Sequence, residues 1–214
     1  MTQQSATIYP LFSTPVYHIE DTGIRLDQQA IDQLILLPRS QKGPGLSEDK
    51  MVLRMPYLAD VKSLIDYHVD KYVSLVCGIM EPFEVTNSWA IINGSEVQHY
   101  QHMHPNSIFS GTLYLQAEQG ASPINFHGKR RITPDFNFTW GFREFNIYNS
   151  ENWTVPVQTG TIVIFPSTLE HSVPPNASKE PRVCIGFNTF VRSRFGDKCY
   201  ASDIDLTGIK GYYD

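Results

Sequence analysis

Long apolar runs are missing from this chain, and so is any strong excess of one charge. No stretch is apolar for long enough to span a bilayer as a helix, and no leader-like segment is visible, so the expected place is the cytoplasm, with no membrane partner. Charged residues make up only 18% of 214 residues and the net charge is −5, which gives no reason to expect nucleic acid as a partner. Basic residues run together only at Lys129, Arg130 and Arg131. Cysteine is scarce as well: Cys77, Cys184 and Cys199 are odd in number, sit at no metal-like spacing, and fit a reducing compartment without disulfides. Repeats and low-complexity tracts are absent. What is present is 41% hydrophobic residues, enough for one domain with a proper core.

The most informative stretch is Gln101 to Leu115, QHMHPNSIFSGTLYL. His102 and His104 are two apart, and on an extended segment such side chains leave the same face, so both imidazoles can converge on one ion. Pro105 stops that strand. Ser110 to Leu115 then alternates, with Ser110, Thr112 and Tyr114 on one face and Gly111, Leu113 and Leu115 on the other. A second segment, GTIVIFPSTLEHSV from Gly160 to Val173, is an apolar run broken at Pro166 that ends in His171. After the turn-like PPNASKEP, Arg182 to Val191 should pair back against the strand carrying His171. Its Arg182, Cys184, Gly186 and Asn188 share a small, polar face suited to line a cavity, while Val183, Ile185, Phe187 and Thr189 face the packed side.

Upstream, Thr7 to Ile19 reads as a strand, and His18 as a packed or surface residue. Ile31, Leu34 and Ile35 recur at helical spacing between Asp27, a cap, and Pro38, a stop. A longer helix is expected from Leu58 to Met80, with Val61, Leu64, Ile65, Val69, Tyr72, Val73 and Val76 as its stripe and His68 as a core residue on it. The period then switches, and Asn87 to Asn93 reads as the first core strand. The chain thus divides into residues 1–82, an N-terminal strand with supporting helices; 83–193, a barrel core; and 194–214, a tail. Phe126 to Phe145 carries Phe136, Phe138, Trp140 and Phe142 alongside Lys129, Arg130, Arg131 and Arg143; it either helps to recognise substrate at the barrel mouth or forms an aromatic strand serving a homodimer contact.

An HxH pair, a later histidine and an arginine one strand further on resemble the iron(II) and 2-oxoglutarate dependent oxygenases. The phrases HMHPNSIFSGTLYL, GTIVIFPSTLEHSV and PRVCIGFN resemble more narrowly a group of such oxygenases from marine bacteria and phages. The resemblance covers about Asn87 to Phe190. It implies a mostly β fold with flanking helices, a double-stranded β-helix or jelly roll (a cupin-like barrel) buttressed by N-terminal helices. It further implies Fe(II) as the metal, 2-oxoglutarate as cosubstrate, and hydroxylation of a small-molecule or peptidyl substrate with release of succinate. His102, His104 and His171 would be the catalytic metal ligands, with Tyr114 and Arg182 on the far carboxylate of 2-oxoglutarate. His104 stands where the superfamily usually has Asp or Glu, leaving an iron(II) site one unit more positive.

Two other histidines and two acids compete for the site. His99, three before His102, should face the opposite way by strict alternation, and His127 lies at the edge of the variable segment. Asp135 and Glu170 are carboxylates outside the expected position. Two other functions fit parts of the pattern. One is a cupin-type metal protein, although no acid follows HMH until Glu118. The other is a non-catalytic jelly-roll binding module.

Overall fold

The computed structural model describes residues 7–95, 97–118, 120–128 and 141–207. Two helices come first. The first, α1 (Gln28–Ile35), starts where Asp27 accepts a hydrogen bond from the Ala30 amide at 2.8 Å, and it buries Ala30, Ile31 and Leu34. The second, α2 (Ala59–Lys71), buries Val61, Ile65, His68 and Val69 along one stripe. It is shorter than its apolar pattern predicts, because a π turn at Tyr72–Val76 breaks the repeat. Val76 and Met80 consequently point to solvent, at 46% and 93% exposure. His68 is the core residue its position suggests, with Nδ1 2.9 Å from the Tyr17 hydroxyl.

The strands are β1 (Tyr17–Ile19), β2 (Phe83–Asn93), β3 (His99–His102), β4 (Phe109–Gln116), β5 (Ile124–His127), β6 (Asn152–Val155), β7 (Ile162–Pro166), β8 (Glu170–Val173) and β9 (Arg182–Val191). They form a five-stranded sheet, β1-β7-β4-β9-β2, and a four-stranded sheet, β3-β8-β5-β6, with every pairing antiparallel. From β2 to β4 and again from β7 to β9 the chain changes sheet at each step. This is the winding of a double-stranded β-helix, the fold that the motifs imply. A short hairpin of β10 (Arg194–Phe195) and β11 (Ile204–Asp205) follows. The expected strand from Thr7 shrinks to the edge strand β1, and His18 on it is exposed. Residues 129–140 and 208–214, parts of the aromatic segment and of the tail, lie outside the described residues.

One expected pairing is not formed. The β9 strand lies between β4 and β2 in the large sheet, and the β8 strand with His171 pairs β3 and β5 in the small one. The reason is local: Pro166 cannot extend the β7 ladder, and the turn to Leu169 throws β8 across the barrel. His171 therefore faces Arg182's strand across the interior instead of beside it.

Alternation then sorts the side chains. On the helix side of the large sheet, Leu113, Leu115, Ile162, Ile164, Val183, Ile185 and Phe187 pack on α1 and α2. Each such buried aliphatic or aromatic side chain contributes roughly 1.5–3 kcal/mol. Between the sheets lie Tyr114, Ile124, Phe126, Val163, Phe165 and Cys184. Gly111 on β4 is required on the packed face, since a Cβ there would come within 2.4 Å of Phe187 and 2.6 Å of the Val163 carbonyl. The three cysteines are free, and among the described residues no helix is long and apolar enough to cross a membrane.

Candidate metal centre

His102, His104 and His171 come together at one end of the barrel. Their ring centroids are 5.4 Å apart for His102–His104, 4.4 Å for His102–His171 and 5.0 Å for His104–His171. One ligating nitrogen from each lies within 4.8 Å of the others. His102 is exposed, His104 half-buried and His171 buried. The second nitrogens explain how the rings are held. Nδ1 of His102 is 2.6 Å from the Tyr100 carbonyl and Nδ1 of His171 is 3.0 Å from the Leu169 carbonyl. A carbonyl can only accept, so both rings carry their proton on Nδ1 and keep the Nε2 lone pair free.

His104 is held by side chains instead. Its Nδ1 lies 2.7 Å from Asn188 Oδ1 and 2.8 Å from Ser110 Oγ. Ser110 donates to Asn188 Oδ1 at 2.8 Å and lies 2.7 Å from the Ser167 hydroxyl, which reaches Ser107 at 2.8 Å. The Ser107 hydroxyl ends on the Phe109 carbonyl at 2.9 Å. Asn188 Oδ1 can only accept, so His104 is the donor at Nδ1, and the hydroxyls of Ser110, Ser167 and Ser107 pack around that bond. Cross-strand pairing places Ser110 opposite Asn188, so the network follows from the register of β4 and β9.

Aromatic rings wall the triad. Phe165 meets His171 edge-on at 4.8 Å, and Trp89 meets His104 at 5.7 Å. Trp89 can lie there only because residue 186 is glycine: a Cβ would stand 2.7 Å from the indole. Burial lowers the His104 pKa to about 4, against the Asn188 hydrogen bond that raises it, with the neighbouring His102 lowering it further. Burial lowers that of His171 to about 3, helped by His102, His104 and His99 and opposed by the Leu169 carbonyl. Both are therefore neutral near pH 7, with lone pairs available to a metal. Three convergent imidazoles with fixed tautomers fit a divalent first-row ion. No described carboxylate joins them.

Deeper in the same barrel, Arg182 is 2% exposed, with its guanidinium 5.4 Å from the Tyr114 ring centre. One Nη donates to the Ser122 carbonyl at 2.6 Å, and Nε has no partner. Among the described residues no carboxylate pairs with it. A buried cation without a counter-ion is costly, and an incoming carboxylate removes that cost. Burial also raises the Tyr114 pKa, so its hydroxyl stays protonated as a donor. The residues present thus fit a keto acid whose far carboxylate lies at this end.

His99 stands differently from what alternation predicts. It is opposite Val173 while His102 is opposite His171, so three steps along β3 match two along β8. That bulge turns His99 inward, onto the face of the triad. Nothing in the sequence marks it. His127 lies on the outside, held by Asn152 at 2.6 Å and Ser172 at 2.7 Å, and Glu170 is exposed and bonded to Gln101 at 2.5 Å. Asp135 falls outside the described residues. Strand alternation puts Ser110 and Asn188 on cavity-facing sides, whereas their hold on His104 follows only from the β4–β9 register.

Residues 87–188 match the model of a family described as "Putative 2OG-Fe(II) oxygenase". No curated protein matches the sequence. Among solved structures, the non-heme alpha-ketoglutarate-dependent epimerase SnoN from nogalamycin biosynthesis is similar at a TM-score of 0.58 and 13% identity, over 92% of this chain and 85% of that one. HygX from Streptomyces hygroscopicus, solved with nickel, 2-oxoglutarate and hygromycin B, is similar at 0.56 and 11%, over 82% of each chain. An oxidoreductase of the 2OG-Fe(II) oxygenase family from Burkholderia pseudomallei is similar at 0.52 and 12%, over 75% of this chain and 76% of that one. Such low identities speak for the fold. Matched segment and fold agree: residues 87–188 are similar to the 2OG-Fe(II) oxygenase family, on the jelly-roll barrel that these neighbours share.

Proposed function

We propose that the protein is an iron(II) and 2-oxoglutarate dependent dioxygenase that hydroxylates a small-molecule or peptidyl substrate. The observation that carries this reading is a three-histidine cluster and an uncompensated buried arginine inside one barrel. A cupin-type metal protein would leave that arginine without a purpose. The narrower similarity of HMHPNSIFSGTLYL and PRVCIGFN to oxygenases of marine bacteria and phages supports the same class.

In this reading His102, His104 and His171 hold the metal through Nε2. When bound, iron(II) would supply the oxidising chemistry, coupling O₂ and decarboxylation of 2-oxoglutarate to attack on a C–H bond. The chain's own contribution is placement. Arg182 fixes the far carboxylate by charge-assisted hydrogen bonding, and Tyr114, whose ring centre is 5.4 Å from the guanidinium, would add its hydroxyl as a further donor. Phe126, Phe165 and Trp89 keep water from the buried side of the triad. Asn188 and Ser110 hold His104 in the tautomer that ligates. The exposed ring of His102 marks the side from which a substrate approaches.

Anaerobic addition of Fe(II) and 2-oxoglutarate should give the visible charge-transfer band of a chelated keto acid, and succinate should form once O₂ is admitted. A wild-type protein with no such band, or a band that persists in His171→Ala, would overturn the assignment.

A further inference from the structure

The closed end of the barrel holds more than the arginine. Asn93, the last residue of β2, is directly opposite Arg182 on β9. Asn93 is fully buried, and its Nδ2 has no hydrogen-bond partner, as Arg182 Nε has none. Buried N–H groups are nearly always paired, so two unpaired ones on facing residues are unusual. They mark a place where an acceptor is expected. His99, turned inward by the β3 bulge, completes the group: its Nε2 lies 3.1 Å from Asn93 Oδ1. The main chain of Asn93 is fixed independently, its carbonyl accepting from Asn176 Nδ2 at 3.1 Å.

The chemistry of this cluster is one-sided. It offers a positive charge and spare N–H donors, with no anion from the described protein to meet them. A carboxylate has about four acceptor positions, enough for Arg182 and Asn93 together. The Asn93 amide cannot turn freely, because His99 engages its oxygen and leaves the NH₂ as the free end.

We propose that Asn93 is a cosubstrate-binding residue that donates to the far carboxylate of the 2-oxo acid beside Arg182, and that His99 is the positioning residue that aims it. This rests on the oxygenase reading above. The pair makes the barrel selective for a dicarboxylic keto acid, since a monocarboxylic one would leave both Nε of Arg182 and Nδ2 of Asn93 buried and unpaired.

The test is equilibrium binding to nickel(II)-loaded protein, with 2-oxoglutarate compared against 2-oxovalerate, which has the same chain length and no far carboxylate. Wild type should prefer 2-oxoglutarate strongly. Asn93→Ala should cut that preference by about ten- to hundredfold while leaving nickel affinity unchanged. Asn93→Asp guards against a folding artefact: it gives Arg182 an internal counter-ion, so thermal stability should hold while the preference disappears. His99→Ala should follow Asn93→Ala, and His99→Gln, which keeps a donor for Asn93 Oδ1, should restore most of the loss. A wild type that binds neither acid overturns the oxygenase reading and this inference together. A wild type that prefers 2-oxoglutarate, with Asn93→Ala and Asn93→Asp unchanged, overturns the role of Asn93 alone. Equal binding by His99→Ala and wild type overturns that of His99.

Discussion

At the histidine end of the barrel each ring already has a partner for its Nδ1, whereas at the arginine end two buried N–H groups have none. The first arrangement is complete in the protein alone and presents three lone pairs outward. The second is complete only with a ligand in it. The difference says where binding energy is kept: the metal end is preorganised, and the arginine end holds an unmet demand that an anion satisfies.

The largest effect that would break this contrast is loss of a ligand. His171→Ala should weaken metal binding by more than about a hundredfold, as equilibrium dialysis would show, because a ligand costs more than the ten- to hundredfold typical of an outer-shell partner. At the other end, Arg182→Leu should weaken 2-oxoglutarate binding by about a hundredfold yet leave the protein at least as resistant to urea, since the substitution removes a buried unpaired charge. Marked unfolding of that variant would mean that the guanidinium is structural. Asn188→Ala should lower metal affinity by about ten- to hundredfold with little change in keto acid binding to fully loaded protein.

Acid should sharpen the comparison. His99 and His104 have pKa values lowered to about 4 and His171 to about 3, each mainly by burial. The unfolded chain takes up protons near the ordinary histidine value of about 6.5, and the folded chain does not until these lower values are reached. Stability of the metal-free protein is thus full above about pH 6.5 and falls as pH drops toward 4, measurable as a declining urea midpoint. The smallest effect is expected outside the barrel: Tyr17→Phe removes the bond to His68 and should cost about 1 kcal/mol in stability with no change in metal binding.

Much of this design is legible in the sequence because strands with one buried face write their pattern every second residue. The cavity faces of β4 and β9, from Ser110 to Tyr114 and from Arg182 to Asn188, could be read that way. So could Asp27 as a cap and His68 as a core residue. What failed has physical causes. The end of α2 was hidden by a π turn, which shifts the register of an apolar stripe that continues in the sequence. The partner of β8 was mistaken because consecutive strands most often pair, and here Pro166 sends the chain to the opposite sheet. Asn93 drew no attention because a lone asparagine acquires meaning only from what stands across from it.

The bulge in β3 has one more consequence. His99 and His102 face inward together only because an odd residue is absorbed between them, at Tyr100 and Gln101. Deleting either of those two surface-facing residues would act as a frameshift in space: one imidazole would stay inside and the other would be rotated out to water. A change in a segment that touches neither metal nor keto acid would then decide which end of the barrel is disabled.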